Sequence, residues 1–122
     1  MNELFIEKLL NVINLTFKTY YEEPPKDVTF PFGVVPTITF MPLNDGYQAV
    51  FDIEIYNNEL SNQSIEKICD NLRKSLDQYS YLDDKIGFHL GFESLILSRQ
   101  SEQDLTYRRI SFIARIFDKK GE

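Results

Sequence analysis

The chain reads as one α+β domain, an antiparallel four-stranded sheet with helices packed on one face in the order α-β-β-α-β-β. Three observations predict it. The run LTYRRISFIARIF, Leu105 to Phe117, keeps a period of two, with Thr106, Arg108, Ile110, Phe112, Ala114 and Ile116 on one side. Leu105, Tyr107, Arg109, Ser111, Ile113, Arg115 and Phe117 fall on the other, so one apolar face meets a core. Two further β-rich stretches flank Asp45-Gly46, a hairpin-turn pair. Two other segments repeat apolar residues at helical spacing. Short links between the paired strands select an antiparallel sheet over a parallel doubly wound one.

The elements follow in order. Residues 3 to 20 are expected to form a helix, since Phe5, Ile6, Leu9, Leu10, Ile13 and Phe17 share a stripe and Asn2 caps the first turn beside Glu3. Pro24-Pro25 cannot continue it, and residues 22–31 read as a flexible extended arm. Phe32 to Met41 is strand-like but holds Pro36, which removes a ladder donor and predicts an edge or a bulge. Beyond the turn at Pro42–Gly46, the return strand Tyr47 to Tyr56 puts Tyr47, Ala49, Phe51, Ile53 and Ile55 inward. Gln48, Val50, Asp52, Glu54 and Tyr56 then line its outer side.

A loop over 57–63 leads to a second helix, Gln63 to Tyr79, with Ile65, Ile68, Cys69, Leu72, Leu76 and Tyr79 as its stripe. A polar turn at Asp83-Asp84-Lys85 precedes a third strand over Gly87 to Leu97, with a bulge expected near Gly91. A polar loop, 98–104, opens the closing strand, and 118–122 is a short tail. The whole of 1–122 is expected to be a single domain.

Composition narrows the function classes. The 122 residues carry a formal charge of −6, which argues against nucleic-acid binding driven by net charge. Cys69 is the single cysteine, so an intramolecular disulfide is excluded and a reducing compartment is natural. MNELFIEKLL lacks the basic and apolar regions of a signal peptide, and no apolar run approaches the roughly 20 residues that span a bilayer. Synthesis in the cytoplasm is the expectation.

Catalytic chemistry has little support. His89 is the only histidine, which excludes a multi-histidine metal site within one chain. Cys69 lies on the inward stripe of the second helix and reads as a buried, unactivated thiol. Asp52 and Glu54 share a strand side, yet they alternate with apolar residues instead of lining a cleft. The glycines are scattered singly and form no phosphate loop, and Asp83-Asp84 lacks calcium-loop spacing. A non-enzyme without metal or cofactor is expected. Arg108, Arg109 and Arg115 beside Tyr107 suit either a nucleic-acid strand or contacts between subunits. The acidic balance favours subunit contacts, with Asp52 and Glu54 as the complementary side.

Four segments together resemble the tail terminator (tail-completion) proteins of long-tailed bacteriophages and prophages. They are TYYEEPPKDVTFPFGVV, VFDIEIYNN, SIEKICDNLRKSL and the closing DLTYRRISFIARIF, in that order; Pro36 inside the first strand departs from the pattern. The resemblance implies a ring, commonly a hexamer of identical chains, seated on the last ring of the tail tube at the head–tail junction of the virion. Its partners would be the tail tube protein and the head–tail connector, with DNA only in transit through the lumen. Tyr107, Arg108, Arg109 and Arg115 against Asp52 and Glu54 are the expected subunit contacts. A head–tail joining protein and a small nucleic-acid-binding module using Tyr107 to Arg109 are the alternatives.

Overall fold

A computed structural model describes residues 2–58, 62–96 and 106–118. Among these residues two helices, α1 (Asn2–Asn14) and α2 (Asn62–Leu76), accompany seven strands. The strands are β1 (Thr19–Tyr21), β2 (Phe32–Val35), β3 (Ile38–Leu43), β4 (Gly46–Asn57), β5 (Ser80–Leu82), β6 (Ile86–Ile96) and β7 (Thr106–Asp118). The expected four-stranded antiparallel sheet is therefore corrected on two counts. One sheet holds seven strands in the order β1-β2-β4-β7-β6-β5, with β3 also on β4, and it is mixed because β1 runs parallel to β2. The element order is α-β-β-β-β-α-β-β-β instead of α-β-β-α-β-β.

Each departure has a local cause. Helix α1 stops at Asn14, six residues before the expected end, where Leu15 N–H and Thr16 N–H tighten onto carbonyls three residues back. The following Thr19-Tyr20-Tyr21 is β-branched and aromatic, and pairs with Gly33 to Val35 instead of extending the helix. Pro36 breaks the expected first strand in two: β2 lies on the far half of β4 and β3 on the near half. The bulge expected near Gly91 falls between Phe92 and Ser94. The three-residue strands β1 and β5 are too short to show a period.

β7 sits between β4 and β6, antiparallel to both, so β4 and β6 run parallel with α2 in the crossover between them. Both helices press on the same side. Phe5 of α1 meets Phe40 at 5.9 Å and Phe88 at 5.2 Å, edge-on. Phe51 stacks on Phe112 at 5.6 Å, and Ile65, Cys69, Leu72 and Leu76 of α2 close the same core. Cys69 is 3% exposed, and burial pushes its thiol up to about 12.

The β3–β4 turn needs its glycine. Gly46 has φ +148°, and a β-carbon there would fall inside contact distance of the Ile116 carbonyl oxygen. The arm over 22–31 has Phe30 against Phe32 at 5.3 Å. The loop 98–104 and most of the tail 118–122 lie outside the described residues.

Candidate assembly interface

Alternation along β4 and β7 divides their side chains between a helix-covered face and an open one. Register places Tyr56 beside Tyr107, Glu54 beside Arg109, Asp52 beside Ser111, Val50 beside Ile113 and Gln48 beside Arg115, all on the open side. Ile55–Arg108, Ile53–Ile110, Phe51–Phe112 and Ala49–Ala114 face the helices. The six residues singled out from the sequence are thus split. Tyr107, Arg109, Arg115, Asp52 and Glu54 share the open face, whereas Arg108 points to α2.

Each of these groups has a partner within the chain. Arg108 Nε lies 2.7 Å from Glu66 Oε1, and Arg108 Nη1 donates to the Tyr107 carbonyl at 2.8 Å. Glu54 accepts hydrogen bonds from the hydroxyls of Tyr56 (3.2 Å) and Tyr107 (3.0 Å). Burial, and then the charge of Glu54, pushes the Tyr56 phenol up to about 12, while burial and the bond to Glu54 raise Tyr107 as well. Both phenols stay neutral donors, locked onto one carboxylate. The Ser111 hydroxyl donates to Asp52, whose other oxygen is 3.8 Å from Arg109 Nε. Arg115 Nη2 sits 2.6 Å from Asp45 Oδ1, with its guanidinium 5.6 Å from the Phe117 ring centre.

Two arginine nitrogens depart from this pairing. The Nε atoms of Arg109 and Arg115 are shielded from solvent yet make no hydrogen bond among the described residues. Both side chains remain about 40% exposed, at 38% and 43%, so their outer nitrogens reach the surface. The residues that the sequence reading missed are apolar: Met41 (55% exposed), Val50 (39%) and Phe117 (42%) lie on the open face with half-buried Ile113. Their signal was in the alternation itself, but which apolar positions helices would leave uncovered is a tertiary fact.

One end of the open face is closed. Phe32 and Val34 point to it but are buried, and Phe32 belongs to a run of rings from Phe30 through Phe32 and Tyr56 to Tyr107. His89 lies at the far side of the same face, its ring nitrogens 2.7 Å from Ser80 Oγ and 3.1 Å from Gln78 Oε1. No group of three metal-ligating side chains occurs among the described residues. No helix among them is long and apolar enough to cross a membrane.

No family model and no curated protein matches the chain. Its fold has a counterpart in a virion. A chain in the structure of the virion of a native gene transfer agent particle superimposes with a TM-score of 0.65. The match covers 89% of this chain and 84% of that one at 16% identity, so the likeness is one of fold.

Proposed function

We propose that the chain is a structural protein of a phage-like virion, and within it the terminator that caps the tail tube as a ring and offers the head-joining surface. The observation that carries the reading is the virion chain's fold, matched over most of both chains. The open face supports it. A ring needs one patch to meet a different patch on the neighbour. This face offers half-exposed Arg109 and Arg115 beside uncovered Met41, Val50 and Phe117, a mixture typical of the centre of a protein contact. The role requires no reaction and no cofactor.

The nucleic-acid alternative is disfavoured by the same face. Arg109 and Arg115 each lie beside a carboxylate, Asp52 and Asp45, so little uncompensated positive charge is left for phosphates.

Removing the protein from an assembling particle tests the proposal. A terminator's loss gives tubes of uncontrolled length with no heads attached. Tubes of normal length lying free of heads would favour the head–tail joining role. Normal, infectious particles would remove the virion reading altogether.

A further inference from the structure

The edges of the sheet differ in a way that its faces do not. Gly33 N–H donates to the Lys18 carbonyl and the Val35 carbonyl accepts the Glu22 N–H, so the even residues of β2 face β4. Through the registers, odd-numbered residues of β4 point their backbone groups toward β7, and even-numbered ones toward β2 and β3. Carried through the registers, that parity turns Thr19 and Tyr21 of β1 outward, Ile86, Phe88, Leu90 and Phe92 of β6, and Ile38, Phe40 and Pro42 of β3.

Two of these edges are closed from within over most of their length, that of β6 as far as the Phe92 N–H. The Asn14 side chain acts as an extra strand residue for β1, donating to the Thr19 carbonyl at 3.0 Å and accepting from its N–H at 2.8 Å. The Tyr21 carbonyl accepts the Glu23 N–H. On β6, Asp83 meets both backbone groups of Ile86, β5 pairs Phe88, and Tyr79 and Gln78 meet Leu90. Where β5 is used up, the Asp77 carboxylate takes the Phe92 N–H at 2.8 Å. Unpaired edges template association, and short strands and intruding side chains are the usual protection.

β3 has no such cover. Among the described residues nothing meets the N–H and C=O groups of Ile38 and Phe40, and β1 ends where β3 would need it. The free stretch is bounded by Pro36 and Pro42, which stand three residues to either side of Thr39. That spacing makes the edge complementary to itself. In an antiparallel pairing centred on Thr39, Ile38 of one chain exchanges both bonds with Phe40 of the other, and the reverse pair does the same. Pro36 then faces Pro42, so the ladder stops where the donors stop.

We infer that β3 is a two-fold docking edge for a second copy of this chain, joined by four backbone hydrogen bonds between Pro36 and Pro42. Ile38 packs beside Phe40 of the other copy on the helix side, and Thr39 beside its own counterpart on the open side. This contact is distinct from the ring contact of the proposed terminator, which is heterologous, and it stands or fails independently. Its small size makes the dimer weak and dependent on concentration.

Thr39 is exposed and supplies the test. In the two-fold pairing it is a non-hydrogen-bonded pair with its counterpart, about 4.5 Å apart at Cα, within the range a disulfide spans. Full-length Thr39→Cys, concentrated and mildly oxidised, is expected to give a disulfide dimer at least tenfold more readily than Ser75→Cys on exposed α2. Cys69, buried, does not compete. Thr39→Lys and Thr39→Glu should each sediment as monomers and pair when mixed. Equal cross-linking at positions 39 and 75, or a mixture that stays monomeric, overturns the inference. So does an amide of Phe40 that is protected from exchange only in particles and never in the concentrated protein, since another partner would then fill the edge.

Discussion

The two faces of β7 are built from neighbouring residues and solve different problems. On the helix side Ile110, Phe112, Ala114 and Ile116 are at most 1% exposed, and close packing decides what fits. On the open side Tyr107, Arg109, Ser111 and Arg115 each find a polar partner across the strands, so pairing decides instead. Charge on this sheet is therefore largely spent within the chain, and the uncommitted surface is apolar: Met41, Val50 and Phe117. An assembly contact through this face gains its stability from covering those residues, while the arginines set orientation.

Adjacent truncations on β7 give the sharpest version of that contrast. Phe112 is fully buried and touches the rings of Phe51 and Phe92, so Phe112→Ala should cost about 3–5 kcal/mol in denaturant unfolding. Ile113, one residue on and half-buried, should cost about 1 kcal/mol or less as Ile113→Ala. Similar losses at both positions would mean that the open face is covered in solution.

The same alternation shows how far the sequence could be read. The inward and outward sets of β4 and β7 follow from period two alone, and the helix stripes from period 3.6, because each rests on local geometry. The strand count does not. Thr19 to Tyr21 continues an apolar helical stripe through Phe17, and only the parallel partner Gly33–Val35 makes it a strand. Period two also puts Arg108 on the inward side and Arg109 on the outer one; what it could not supply is the partner that holds Arg108 there, Glu66 of α2.

That pair supplies the next test. Arg108 has a side chain 12% exposed and bonded to Glu66 and the Tyr107 carbonyl, so Arg108→Ala should cost about 1–2 kcal/mol, moderated because Glu66 is half in solvent. It should leave any oligomer mass unchanged. Arg109→Glu reverses the pattern. It sets a third acid among Asp52 and Glu54, at about 1 kcal/mol or less for the monomer because the site is more than a third exposed. In the proposed ring, assembly should weaken more than folding does. Sedimentation with the proposed tube partner present decides it: an unchanged oligomer for Arg109→Glu would take Arg109 out of the contact.

Acid titration carries the comparison to the rim of the helix-covered side, with the smallest expected effect. Asp83 accepts the Lys85 and Ile86 N–H groups, each at 2.8 Å, and the Tyr81 hydroxyl, with Lys8 of α1 3.9 Å away. The two backbone bonds hold its carboxyl down at about 2, against an ordinary 3.8. Its folded pKa is therefore the lower one, and the unfolded chain takes up the proton first. Stability from this group is complete above the ordinary value and is lost as pH falls from about 4 towards about 2. Melting temperatures across that window should fall more steeply for the native chain than for Asp83→Ala, which lacks the group that titrates. The Phe88 region should loosen with it, because Tyr81, stacked on Phe88 at 5.1 Å, is held in place through Asp83. Parallel curves for the two proteins would mean that the turn contributes nothing that the proton can remove, and that β5 is held by its pairing with β6 and the Tyr81–Phe88 stack without help from Asp83.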